Sequence, residues 1–365
     1  MKIVFFIDGF RKGGKERRLL ELLKEIERLK IHYLVVIIHP EIEYSIPHEI
    51  RDKTIQINKY KKKDLSPFFA FFKICKDFNP DIIHTWSSMV TLYSLPTKKI
   101  LQIKLINSQI TDAPQKLKNW TLFGITCRIN FFFSDLIIAN SYAGLAAYNA
   151  PLHKTRVIYN GVDISRFDIK ENKESIKKKL NISTKYSVIM VASFSDNKDY
   201  STFINIALEL QKIRNDVSFI AVGAGKNYLN CKQLVEELHL INFCFLGKRD
   251  DVEIIMNACD IGVLFSNDNV HGEGISNSII EYMAMHMPVI ANNNGGNKEI
   301  IENGYNGFVC KTNIVKESVL SMNLLLDNRD QRVRMGNNAR KTVENKFVVQ
   351  RMLNEFLDTY RIEKK

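Results

Sequence analysis

Short runs rich in β-branched and aromatic residues alternate with longer amphipathic stretches along the whole chain, and this alternation restricts the fold more than any other feature. "KIVFFI" (2–7) precedes a helical stretch over 15–30, and "YLVVIIH" (33–39), "DIIHTW" (81–86), "KLINSQ" (104–109), "LIIANS" (136–141) and "TRVIYNGVD" (155–163) follow. Strands alternating with helices at this spacing predict βαβ units and a parallel sheet. After Asp163 the polar, lysine-rich "ISRFDIKENKESIKKKLNIS" has little to bury and reads as a linker and lead-in helix. The alternation then restarts with "YSVIMVASF" (186–194), "VSFIAVGAG" (217–225), "NFCFLG" (242–247), "DIGVLFS" (260–266), "PVIAN" (288–292) and "GFVC" (307–310). The expected class is α/β, with two doubly wound domains over 1–163 and 164–346. Residues 347–365 are expected to form a terminal helix returning to the first domain. A chain of 365 residues is long enough for two such cores.

Several other classes are disfavoured. The six cysteines include no Cys-x-x-Cys pair, so they read as free thiols of a reducing compartment rather than a disulfide framework or a zinc site. The opening apolar run is too short for a signal peptide and meets Asp8 early, and even "FFFSDLIIA" (131–139) is broken by Asp135 before it could span a bilayer. A cytoplasmic location is the expectation. The net charge of +12 is concentrated: residues 1–165 carry 25 Lys+Arg against 15 Asp+Glu, so any anionic surface would be met by the first half.

In doubly wound sheets ligands bind beyond the carboxyl ends of the strands, so the loops there carry the functional signal. Gly13-Gly14, ahead of the first helix, is either a flexible turn or a loop bringing the backbone and a helix N-terminus to an anion. The dinucleotide fingerprint G-x-G-x-x-G fails there, and "VGAGKN" (222–227) lacks the third glycine, which argues against a nicotinamide dehydrogenase. "NGVD" (160–163) is a turn signal at the inferred domain junction. Lys198, in "ASFSDNKDY" (192–200), heads a helix against the dipole unless an anion lies between, so it is either solvated or a phosphate ligand. In "HGEGISNSIIEYMAMHMPVIANNNGG" (271–296), Ser278 and Glu281 have capping-box spacing, which leaves Glu273, flanked by Gly272 and Gly274, without a structural duty. A carboxylate beside backbone donors suits sugar hydroxyls and phosphates, and Gly295-Gly296 with Glu299 repeats the device.

In order, "GGKE", "DIIHTW", "VIYNGVD", "NKDY", "VGAG", "FLGKRDDV", "ACDIGVLFS", "EGISNSIIEYMAMHMPVIANNNGGNKEII" and "NGYNGFV" resemble the retaining glycosyltransferases of family 4. That family has the GT-B fold of two Rossmann-like domains facing across a cleft, and a Glu-x7-Glu motif. The resemblance implies a hexosyltransferase using a nucleotide-sugar donor, preferably a UDP-sugar, and a saccharide or polyprenyl-linked acceptor in surface polysaccharide or glycan assembly. By the same resemblance Glu273 lies beside the donor sugar and Glu281 binds ribose hydroxyls. Gly274, Ile275, Ser276 and Asn277, in the loop reaching Ser278, offer backbone N–H groups. Lys198 neutralises the departing diphosphate, Gly13 and Gly14 approach it, and Ser193 stands where an arginine is common. No Asp-x-Asp pair occurs, so no metal and no cofactor are expected. Two further departures are Gln109, near a usual histidine, and His286, where glycine is usual and positive φ would be needed.

The acceptor or membrane side is expected to involve His84 and Lys61, Lys62 and Lys63. "NKYKKKDLSPFFAFFKICKDF" (58–78) and "NWTLFGITCRINFFF" (119–133) place basic residues beside aromatics, either facing the core or lying on the inner face of a plasma membrane. A sugar isomerase or phosphorylase would use the same donor pocket. A pI near 9.2 alone permits nucleic-acid binding, but no such motif appears, so no nucleic-acid partner is expected.

Overall fold

The computed structural model describes residues 1–11, 13–58, 64–115, 117 and 120–361. The chain forms two compact units, Met1–Gly161 with Val349–Lys365, and Val162–Val348. Lys61, Lys62 and Lys63 lie outside the described residues.

The first unit is built on a wholly parallel seven-stranded sheet: β1 (Lys2–Ile7), β2 (His32–Ile37), β3 (Thr54–Gln56), β4 (Ile82–Thr85), β5 (Lys104–Ile110), β6 (Leu136–Ala139) and β7 (Thr155–Val157). Its order is β3-β2-β1-β4-β5-β6-β7. The short edge strand β3 escapes a sequence reading, because three residues carry no periodicity. Residues 3–7 of β1 are fully buried, as expected for a strand covered on both faces. Alternate side chains divide the core. Ile3, Phe5 and Ile7 pack with leucines of the helix Gly14–Arg28 and with Met352, Leu353 and Phe356 of the C-terminal helix Val349–Arg361. Val4 and Phe6 pack with Phe71 and Cys75 of the helix Ser66–Phe78 and with Val90 and Tyr93 of the helix Ser88–Leu101.

The second unit repeats the plan with β8 (Tyr186–Val191), β9 (Val217–Val222), β10 (Phe243–Gly247), β11 (Ile261–Leu264), β12 (Val289–Asn292) and β13 (Gly307–Cys310), again parallel, in the order β10-β9-β8-β11-β12-β13. The lysine-rich lead-in belongs to this unit. Its helix Lys173–Lys179 buries Ile176, and the Lys177 ammonium donates to the carbonyls of Thr184 and Lys185 at 3.0 and 2.7 Å. In each unit the chain reverses its direction of progress across the sheet at one point, between β1 and β4 and between β8 and β11. Crevices at such points, beyond the carboxyl ends of the strands, are where doubly wound folds bind ligands.

Candidate active site

At the switch point of the second unit, the loop after β8 delivers Lys198 and the loop after β11 delivers Glu273. The two loops are stitched together: Asp199 N donates to Phe265 O at 2.9 Å, and Lys198 and Ser266 form an isolated antiparallel bridge. Lys198 Nζ donates to Glu273 Oε1, as does Ser266 Oγ, and His271 Nε2 lies 3.8 Å from the same oxygen. The Glu273 side chain is 8% exposed and that of Lys198 17%. Burial pushes the Glu273 carboxyl upward, but the Lys198 ammonium, by charge and by hydrogen bond, together with Ser266 and His271, outweighs it and holds the group below the usual carboxylate range.

The backbone of Glu273 is fixed as firmly as its side chain. Its N–H donates to Asn294 Oδ1 at 2.6 Å, and Asn294 Nδ2 donates to Asp268 Oδ1 at 2.5 Å and to the His271 carbonyl at 2.9 Å. Asn292, one strand over from Ser266, accepts from Ser266 N at 3.1 Å and donates to Ser266 O at 2.7 Å. The asparagine run 292–294 therefore clamps the whole loop 266–273. The sequence alone does not single out Ser266, His271 or Asn294; the Asn-Asn-Asn run that starts at the end of β12 is the signal that points to Asn294. The Gly295-Gly296 pair serves this clamp. Gly296 N donates to Glu273 O at 2.9 Å, and a Cβ on Gly295, where φ is +51°, would collide with the Glu273 carbonyl. These glycines allow close backbone approach, and the Gly296 N–H is already used.

The helix Asn277–Ala284 starts from Ser276, whose Oγ accepts from Ile279 N at 3.5 Å. This corrects the capping box expected at Ser278 and Glu281. Ser278 Oγ instead donates to Val191 O at 2.8 Å, and Val191 N donates to the Tyr282 hydroxyl at 2.6 Å, so the helix is tied to the end of β8. Glu281 lies past the first turn, too far along for a cap, and is buried. Gly274, Ile275 and Ser276 are buried in the loop leading in, with Asn277 half-buried at the helix start. Ser193, on the loop after β8, is exposed, its Oγ 3.0 Å from Ser195 Oγ. Among the described residues no group of three or more His, Cys, Asp or Glu could hold a metal ion.

In the first unit, Gly13 is the N-cap of the helix Gly14–Arg28. Beside it Lys15 Nζ donates to Asp8 Oδ2 at 3.0 Å, and Ser87 Oγ, beyond β4, donates to Asp8 Oδ1 at 2.6 Å. His84 requires a correction. It is fully buried, with Nδ1 2.8 Å from the Tyr360 hydroxyl and Nε2 2.7 Å from Ser108 Oγ, so it faces neither an acceptor in solvent nor a membrane. Burial, aided by the nearby Arg18 guanidinium, drives its pKa well below the ordinary histidine range. Gln109 is also interior, its Oε1 accepting from Asn130 Nδ2 at 2.8 Å.

Two family models match the chain in succession: "Glycosyltransferase Family 4" over residues 12–166 and "Glycosyl transferases group 1" over residues 172–342. The chain is 23% identical over 345 residues to N-acetyl-alpha-D-glucosaminyl L-malate synthase of Bacillus anthracis, covering 88% of this chain and 84% of the relative. It is 25% identical over 345 residues to the N,N'-diacetylbacillosaminyl-diphospho-undecaprenol alpha-1,3-N-acetylgalactosaminyltransferase of Campylobacter jejuni, covering 88% of each. The structure of Anabaena HepE in complex with UDP and glucose superposes with a TM-score of 0.85 at 20% identity and full coverage of both chains, a likeness of fold. With one model accounting for each half in turn, the chain belongs to the glycosyltransferases of GT-B fold.

Proposed function

We propose that the protein transfers a hexose from a nucleotide-sugar, by preference a UDP-sugar, to a saccharide or lipid-linked saccharide acceptor, with retention of anomeric configuration. The observation that carries this reading is the buried Lys198–Glu273 pair at the switch point, held by Ser266, His271 and the asparagine clamp. In the transfer, the bond from the sugar's anomeric carbon to the leaving diphosphate oxygen breaks and one to an acceptor hydroxyl oxygen forms, the hydroxyl proton passing to the departing diphosphate. Negative charge grows on the diphosphate and positive charge on the sugar ring. Lys198 answers the first charge and the Glu273 carboxylate, kept ionised by its partners, the second. Glu281 is assigned to the ribose hydroxyls, and the loop 274–277 to the sugar and diphosphate. No divalent ion has a role in this reading.

Two relatives support the substrate classes. HepE is complexed with UDP and glucose, and the C. jejuni enzyme is named for a sugar carried on diphospho-undecaprenol. The test is a panel of nucleotide sugars and nucleoside diphosphates scored by protection from thermal unfolding, with and without chelator. A ligand at a hundred times its Kd adds about 2.7 kcal/mol of stability. UDP-sugars are expected to raise the midpoint equally with chelator present. If no member of the panel raises it, the reading fails.

A further inference from the structure

His271 stands against the Lys198–Glu273 pair, but the transfer of the sugar itself does not use it. Its backbone is pinned from both sides: His271 N donates to Asn267 O at 2.9 Å, and His271 O accepts from Asn294 Nδ2 at 2.9 Å. The ring is held less tightly. Nε2 lies 3.8 Å from Glu273 Oε1, about 1 Å longer than an ordinary hydrogen bond, and the side chain is 20% exposed. Among the described residues neither ring nitrogen makes a hydrogen bond, and none reaches Glu273 Oε2, because Lys198 and Ser266 both donate to Oε1. Two other histidines mark the limits. His84 is fully buried with both ring nitrogens occupied, so it stays neutral in the folded chain. His48 meets Asp52 at 3.0 Å, but on a short surface helix where water screens the pair. His271 combines a buried carboxylate neighbour with a ring open enough to accept a second proton.

The balance of charge shows what that ring is suited to do. With no ligand bound, Lys198 and Glu273 cancel. The other acid of the loop, Asp268, accepts from Asn292 Nδ2 and Asn294 Nδ2 at 3.0 and 2.5 Å, so the neighbouring strand end meets it with amides rather than charges. On the loop after β8, Asp196 pairs with Lys226 at 2.5 Å, and Asp199 caps the following helix by accepting from Thr202 N at 2.9 Å. A diphosphate brought to Lys198 adds more negative charge than one ammonium offsets. Lys198 is then drawn toward the phosphates, and the Glu273 side chain, 8% exposed, loses the match that makes its burial tolerable. An imidazolium closing about 1 Å onto Oε1, or onto the unused Oε2, restores that match.

We infer that His271 is a positioning residue: when a diphosphate arrives, it takes a proton from solvent and donates to Glu273, holding the carboxylate in place while Lys198 turns to the phosphates. This rests on the sugar-transfer reading, since it needs a diphosphate at Lys198, and deepens it by assigning a proton to a defined ring. The full-length protein is titrated calorimetrically with UDP and with uridine, in chelator near neutral pH, in several buffers of different ionisation enthalpy. The dependence of the heat on the buffer counts the protons taken up, and any proton that UDP itself gains or loses is common to wild type and variant. Wild type is expected to take up more protons per UDP than His271→Gln, which keeps an N–H donor but carries no charge, and the two should not differ with uridine. The variant should also bind UDP about tenfold more weakly near pH 6 and nearly as tightly as wild type near pH 8.5, because proton uptake on binding makes affinity rise as pH falls. An unchanged unfolding midpoint shows that the variant is folded, and His271→Asn replaces it if it is not. Equal proton uptake by wild type and folded variant, or a deficit in UDP affinity that does not change with pH, overturns the inference and leaves the sugar-transfer reading standing. Absence of UDP binding to the wild type overturns both.

Discussion

Lys198 has two claims on it, the carboxylate of Glu273 and, in the proposed reaction, the diphosphate. The ion pair is nearly dry, and removing one partner from a buried pair typically costs about 3–5 kcal/mol, because the other charge is left uncompensated. Lys198→Met should therefore lower the thermal midpoint at neutral pH. The pH dependence has a definite sign. In the wild type the folded pKa of Glu273 lies below its unfolded value, so the pair's contribution is present at neutral pH and lost as pH falls through and below the carboxylate range. Without Lys198, burial dominates and the folded pKa rises above the unfolded one; the variant's deficit should then shrink on acidification as Glu273 takes up a proton. Midpoints of both proteins from pH 7 to pH 4 check this, and a deficit that grows toward low pH would refute it. Glu273 and Lys198 could each be singled out in the sequence because each occupies a loop just past a strand. Asn294 is marked in the sequence only by the Asn-Asn-Asn run, and Ser266 and His271 carry no mark at all, since their part depends on where one loop's side chains meet another loop, which no local pattern encodes.

Among the elements, helix ends illustrate the same division. His286, where glycine is usual, adopts φ +56°, and the bonds from His286 N to Met283 O at 3.1 Å and from Met287 N to Tyr282 O at 3.0 Å complete a Schellman motif. The need for positive φ was legible; the compensating contact, His286 Nδ1 at 3.0 Å from Asn337 Oδ1, was not, because Asn337 is on a distant helix. The C-terminal helix is bound into the first unit by Phe356, in ring contact with His84, and by the Tyr360 hydroxyl on His84 Nδ1. Tyr360→Phe leaves a buried polar nitrogen without its partner and should cost about 1–3 kcal/mol in chemical denaturation, without altering nucleotide binding. Because the folded His84 pKa is depressed, only the unfolded chain takes up that proton, so stability from this source falls as pH drops below the usual histidine range. The strands were legible because buried parallel strands are continuous apolar runs; β3 was not, being three residues at an edge.

At the scale of the molecule, two sheets of like order carry different chemistry at their switch points: Asp8 with Lys15 and Ser87 in the first unit, Lys198 with Glu273 in the second. No helix among the described residues is long and apolar enough to cross a membrane. The first half of the chain carries most of the excess positive charge, and in the proposed reaction the second unit is assigned the donor. That assignment rests on Lys198 meeting a diphosphate, which separates two ligands differing only in phosphate. Calorimetric titration of the wild type and Lys198→Met with uridine and with UDP, in chelator, measures it directly. The expected result is that the wild type prefers UDP, and that Lys198→Met loses about tenfold or more in UDP affinity, the worth of one charge-assisted hydrogen bond, with uridine affinity unchanged. Equal affinity of the wild type for uridine and UDP, or a variant that binds UDP as tightly as the wild type, would contradict the assignment.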